Sequence, residues 1–254
     1  MIVETVITSV PRGLKAGRTG YQPVMRTRGL RDDVLRQLEP LTGYRHIHRQ
    51  GSGKNPLNYT YRRLTSNVGD LAVLGRTVDA GSDFSNRSNK CGHLIALTAD
   101  EIGRLSRTTP AALLADNQAL FASQWTKGPE ERPAPPALAA QPQTPAMCTT
   151  WQSQFGDAGW AAVVAERARR RQPTLLVAPD SSPQSSELLL LLIREATALL
   201  PPADRWAVSF ETTVLGASDA LIQGTYRGSP EAEATRQGVL VLPLGGPVPP
   251  GQLQ

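Results

Sequence analysis

The sequence predicts an α+β (mixed α/β) fold, with a strand-rich first part built from hairpins packed against a smaller α/β part. Three observations predict it. Runs rich in β-branched residues, separated by glycine-rich turns, fill the chain before Thr98, the pattern of strands joined by tight turns. From Cys148 onward, helix caps alternate with short apolar runs, the rhythm of α/β units. Between them, Gly128 to Pro145 is rich in proline and alanine and has no helical or strand periodicity. Residues 129–147 therefore read as a linker or surface excursion. The expected organisation is a strand-rich region over 1–128, an α/β region over 148–246 and a terminal linker over 247–254.

The first strand is Ile2 to Thr8, and Arg12, Gly13, Lys15, Gly17, Arg18 and Gly20 form a basic, flexible tip before a second extended run, Tyr21 to Thr27. From Asp32 the spacing turns helical. Val34, Leu35 and Leu38 share a face, two acids occupy the first turn, and Pro40 and Gly43 end the helix. Leu57 to Leu64 and Leu71 to Val78 make a second hairpin about Ser66, Asn67 and Gly69. Lys90 to Leu97 returns to strand character. Thr98 with Glu101 has capping-box spacing, and Thr109-Pro110 opens a helix predicted to reach Gln124 and to bury Leu113, Leu114, Leu120 and Phe121. Asp157 caps a helix whose last turn carries Arg167, Arg169, Arg170 and Arg171. Thr174 to Ala178 is a strand, Ser182 caps a helix over Pro183 to Leu200, and Trp206 to Thr212, Leu221 to Tyr226 and Val239 to Leu242 are strands.

A chain of 254 residues, 40% apolar and 19% charged, can bury a substantial core as one large domain or two small ones. Charge is uneven. Residues 1–63 hold twelve Lys and Arg against four acids, so the net +5 of the whole arises at the amino-terminal quarter, which should face an anionic partner or an acidic surface of its own chain. Leu188 to Ile193, a purely apolar run that no other exceeds in length, is far shorter than the about 20 residues a bilayer-spanning helix needs. Residues 1–10 read as a strand, not a secretion leader. The two cysteines, Cys91 and Cys148, have no disulfide-framework spacing, so a reduced, cytoplasmic location is expected.

The densest polar stretch runs from Asp79 to His93, read as a polar loop on a rigid frame. Within it, Cys91 and His93 share a strand face and invite a nucleophile and base reading; a buried cysteine beside a structurally bonded histidine is the bland alternative. His46, His48, Cys91 and His93 offer four zinc-type donors without the Cys-x-x-Cys knuckle. Arg76, Asp79, Asp83, Arg87, Asn89 and Lys90 alternate in sign and could recognise a partner or lock a loop to its frame. Asn86 and Asn89 suit Asx-turns. Gly51-Ser52-Gly53-Lys54 lacks phosphate-loop spacing and is followed by Pro56 rather than a helix, which excludes a nucleoside triphosphate site there. Basic residues from Arg12 to Arg36, with Tyr21, Tyr44, Tyr59 and Tyr61 as stacking surfaces, leave nucleic-acid binding as a further possibility.

Several phrases occur together: Thr8-Ser9, Arg12-Gly13-Leu14, Gly20-Tyr21, Gly29-Leu30, Leu38-Glu39, Tyr44-Arg45-His46 and Asn55-Pro56, then Gly75-Arg76, Asp79-Ala80-Gly81, Asp83-Phe84, Arg87, Asn89-Lys90 and His93. This pattern, over residues 4–97, resembles the type 2 amino-terminal domain of the GTPase-associated protein 1 family. The resemblance implies the amino-terminal module of a larger protein, an adaptor or regulator in a bacterial, immune-like conflict system, encoded with a GTPase. It brings no catalytic residues. Gly92 stands before His93 where the pattern leads one to expect paired histidines, which argues against catalysis by such a pair.

The resulting expectation is a non-catalytic docking module without a cofactor, whose protein partner is a GTPase or another component of the system. Its contact residues are Arg12, Lys15, Arg18, Arg76, Asp79, Asp83, Arg87, Asn89 and Lys90. The alternatives are a hydrolase centred on Cys91 and His93, using the thiol or a metal, and a nucleic-acid-binding module.

Overall fold

Hydrogen bonding joins ten strands into one mixed sheet in the computed structural model, which describes residues 2–67, 69–234 and 236–246. The amino-terminal strands are β1 (Ile2–Val10) and β2 (Gly20–Thr27), an antiparallel hairpin, then β3 (Asn58–Ser66), β4 (Gly69–Ser82) and β5 (Ser88–Thr98), an antiparallel meander. β1 pairs with β5, so both hairpins share one sheet. Between them, helix α1 (Asp32–Leu38) continues into a 3-10 turn over Glu39–Thr42. Beyond β5 come α2 (Ala99–Arg104), α3 (Pro110–Asp116) and β6 (Glu130–Arg132).

The remainder alternates: α4 (Thr149–Phe155), α5 (Trp160–Arg169), β7 (Thr174–Ala178), α6 (Pro183–Ala198), α7 (Pro202–Arg205), β8 (Phe210–Glu211), β9 (Ile222–Tyr226), α8 (Pro230–Glu233) and β10 (Leu240–Pro243). Strand order is β10-β7-β9-β8-β3-β4-β5-β1-β2-β6. The later strands are mutually parallel, and β8 joins β3 antiparallel through Thr60 opposite Glu211 and Tyr61 opposite Phe210. The expected mixed α+β class is therefore realised in a single sheet shared by both parts.

Side-chain alternation divides the core between the two faces of this sheet. Val3, Ile7, Val73, Leu94 and Ala96 pack against Val34, Leu35 and Leu38 of α1. Tyr59, Tyr61, Leu74, Ile95 and Leu97 look the other way, into the larger cluster built with α3, α5 and α6. Ser182 accepts from the Ser185 amide, and Thr109 from the Ala112 amide, so these two predicted caps form.

Other expectations shift. The helix predicted to reach Gln124 ends at Asp116, because the Asn117 side chain turns back to the Leu113 carbonyl and across to the Ala139 carbonyl; Leu120 is consequently exposed. Asp157 accepts from the Gly159 amide one turn before α5 begins at Trp160, and α4 forms where no helix was foreseen. Only Phe210 and Glu211 of the predicted Trp206 to Thr212 strand pair; Trp206 instead ends α7. The proline-rich stretch is tied down. β6 pairs with β2 in parallel, and Gln143 donates its amide to the Arg107 carbonyl. The expected terminal linker, 247–254, lies outside the described residues.

Candidate functional site

The stretch from Asp79 to His93 is not a loop for most of its length. Asp79 to Ser82 finish β4 and Ser88 to His93 begin β5, with a bulge at Gly81, where φ is +74°, leaving a short turn over residues 83–87. Asp83 organises that turn. Its Oδ1 accepts from the Ser85 and Arg87 amides and the Ser85 hydroxyl, and its Oδ2 accepts from Ser9 Oγ at 2.9 Å. The Ser85 hydroxyl foremost, with these amides and Ser9, holds the carboxyl below the usual carboxylate range, against the opposing effect of burial.

Most of the predicted contact residues face inward. Asn89 Oδ1 accepts from the Ser9 amide and the Thr8 hydroxyl; it is a bond across strands, not the expected Asx-turn. Asp79 accepts from the Gly51 and Gly81 amides and from Asn55 Nδ2. Lys90 Nζ donates to the Thr42 carbonyl at 2.7 Å and lies 4.5 Å from the centre of the Tyr21 ring, and burial lowers its pKa. Arg76 donates to the Phe121 carbonyl, and Lys15 pairs with Glu39. Arg12, Arg18 and Arg87 remain exposed. Phe84, half exposed at the turn, joins them; an aromatic residue inside an otherwise polar turn was its legible signal.

The Ser9 to Asp83 bond sets the tip of the β1-β2 hairpin beside the tip of the β4-β5 hairpin. Arg49 and Lys54, exposed on the segment before β3, belong to the same end of the sheet, since that segment is bonded to Asp79 and Ser82. The site is therefore a cationic rim on an internally hydrogen-bonded base.

Cys91 and His93 do lie on one strand face, but the Ala122 peptide joins them. The Ala122 amide donates to His93 Nδ1 at 2.9 Å, and its carbonyl faces Cys91 Sγ at 3.6 Å. With Nδ1 accepting, the ring proton sits on Nε2, which donates to Glu4 Oε2 at 3.2 Å. Cys91 is fully buried, and burial pushes its thiol up to about 12, with Arg76 opposing. A hydrolase needs a thiolate open to a cleft; this geometry supplies neither, so the pair packs and bonds. Gly92 has its own reason. A Cβ there would collide with the Thr42 side chain, so a second histidine cannot stand beside His93 without moving the 3-10 turn.

The four zinc-type donors do not converge. His46 reaches the Asn89 carbonyl and Asp79, while His48 meets Ser181 Oγ at 3.0 Å. Among the described residues no group of three or more His, Cys, Asp or Glu side chains is arranged to hold a metal. The tyrosines are not free stacking surfaces either: Tyr59 and Tyr61 are fully buried, Tyr44 packs edge-on to His46, and Tyr21 lies beneath Lys90. Sequence reasoning also passed over Arg205, 3% exposed, whose guanidinium donates to the carbonyls of Leu200, Ala198, Arg107 and Gln143.

Three clefts matter. One of 640 Å³ lies where β3 meets β8, and its charged groups are already paired, Arg62 with Glu211 at 3.0 Å and with Asp219 at 3.5 Å. The others flank the basic tip, with volumes of 450 and 600 Å³.

Fold and site together define an α+β scaffold with a network of internal polar bonds at one sheet end and three exposed arginines, Arg12, Arg18 and Arg87, on two adjoining hairpin tips. The sequence matches the family model described as GTPase-associated protein 1, N-terminal domain type 2, over residues 1–140, and the chain belongs to that family. Comparison with curated proteins finds no match. No helix among the described residues is long and apolar enough to cross a membrane.

Proposed function

We propose that this chain is a docking module, an adaptor or regulator that engages a GTPase, or another component of a GTPase-centred bacterial conflict system, in the cytoplasm. The observation that carries this reading is the pair of locked hairpin tips presenting Arg12, Arg87 and Phe84 to solvent. Arginine and aromatic side chains dominate the energetics of protein interfaces. Holding them on a turn already fixed by Asp83 lowers the ordering cost of association. The partner's class follows from the family's description, and its surface chemistry from the rim: an acidic patch around an apolar pocket.

The test is a pull-down of the GTPase encoded with this protein. Arg12→Glu combined with Arg87→Glu, and separately Phe84→Ala, should lose the partner while the fold is kept. Retention of the partner by both variants overturns the proposed surface.

A further inference from the structure

The cleft between the β1-β2 tip and α1 shares Arg18 with the rim but none of Arg12, Phe84 and Arg87, and its composition points to a different ligand. It encloses 450 Å³ and is lined by Lys15, Arg18, Arg26 and Arg36 with one carboxylate, Asp32. That carboxylate is engaged: Asp32 Oδ1 meets Arg26 Nη1 at 2.6 Å, and Glu131 meets Arg26 Nη2 at 2.7 Å. Lys15, on the lining, is paired with Glu39 at 3.1 Å. Arg18 and Arg36 are exposed and have no ion pair among the described residues.

With Arg26 and Lys15 already paired, Arg18 and Arg36 remain as two uncompensated guanidiniums on one cleft, more charge than one carboxylate of a ligand can balance. A phosphate group carries up to about two negative charges and three acceptor oxygens, and guanidinium forks match those oxygens in bidentate pairs. We propose that this cleft binds a soluble oligophosphate, a compound with two or more adjacent phosphates such as the polyphosphate tail of a nucleotide. Arg18 and Arg36 supply the direct contacts, and Lys15, paired with Glu39, borders them with a hydrogen-bond donor. Arg26 stays with its two carboxylates and orients the wall. The loop at residues 14–18 sits over the cleft and bends at Gly17, where φ is +70°.

The experiment is isothermal titration calorimetry of the full chain with sodium tripolyphosphate, at constant ionic strength against sodium chloride. Inorganic phosphate and phosphatidylglycerol vesicles serve as parallel arms. Saturable binding of tripolyphosphate, weaker for single phosphate, is expected. Arg18→Ser with Arg36→Ser should weaken it by about tenfold or more, whereas Arg87→Ser, which alters only the docking rim, should leave it unchanged. Lys15→Gln provides an independent single variant and should weaken binding by a smaller factor. Absence of saturable binding, equal affinity in all variants, or attachment to vesicles without binding of tripolyphosphate would each overturn the proposal. Because Arg87→Ser leaves the cleft intact, failure here and failure of the docking surface read out separately.

Discussion

Ser9 Oγ donates to Asp83 Oδ2 at 2.9 Å, across 74 residues of chain, and this bond couples the tips of two hairpins that the sequence places far apart. Ser9 ends a strand of the first hairpin and Asp83 opens the turn of another. Their contact, with Asn89 beside it, makes one rim of two turns.

Asp83 makes the rim acid-sensitive. Its folded carboxyl lies below the unfolded value of about 3.9, so its contribution is fully present above that value and is lost as pH falls through the folded pKa. Asp83→Asn should lower the thermal midpoint at pH 7 by about 2–4 °C. It should also flatten the acid limb of stability below about pH 4. Thermal scans from pH 2 to 7 check this; an unchanged midpoint at pH 7 contradicts the locking role.

Cys91 should be inert in the folded protein. With its thiol pushed up to about 12 and fully buried, iodoacetamide at pH 8 should leave it unmodified until denaturant is added. Intact-mass spectrometry reads the result directly. Rapid labelling of Cys91 in native buffer would revive the nucleophile reading.

His93→Ala removes the acceptor of the Ala122 amide and the donor to Glu4. A buried group left unpaired costs about 1–3 kcal/mol, and chemical denaturation should show a loss in that range.

Gly92→Ala tests the close approach of Thr42. The added methyl meets the side chain of Thr42, a residue of the 3-10 turn whose backbone carbonyl accepts from Lys90. Overpacking of this kind costs about 1–3 kcal/mol. Gly92→His should be worse, and expression with a native midpoint would show that the turn yields.

Arg205→Lys should not substitute for Arg205. One ammonium cannot reproduce a fork that serves the carbonyls of Leu200, Ala198, Arg107 and Gln143. Limited proteolysis should cut faster within residues 129–147 in this variant, because Gln143 loses one of its tethers. Equal cleavage rates would place the anchoring of that segment elsewhere.

Local patterns settled the elements whose causes are local. Alternation of β-branched residues placed β1, β2 and β3, and an apolar face flanked by Pro40 and Gly43 placed α1. Ser182 and Thr109 marked two helix starts because a cap is read within four residues. The resemblance carried by Arg12-Gly13-Leu14 through His93 led to the family. Leu120, Trp206 and the Asp79 to His93 stretch were misread for a shared reason: strand ends and helix ends depend on partners distant in sequence. Asn117 ended α3 by reaching Ala139, Gln50 bonded Ser82 at the end of β4, and Ser9 fixed Asp83 at the head of the turn.

By itself the sequence determined the mixed fold class, the basic asymmetry of the amino-terminal quarter and the residues from which any site had to be drawn. Only the tertiary structure decided which charges are free. A carboxylate and a guanidinium are equally polar in sequence, but Asp79, Asp83, Asn89 and Lys90 are enclosed by amides, hydroxyls and carbonyls, while Arg12 and Arg18 stand in water and Arg87 is exposed with bonds to Ser85 and Asp83 of its own turn. The physical reason is that a polar group buried without a partner is costly, and those partners are assigned by strand pairing across the sheet, not by neighbours along the chain.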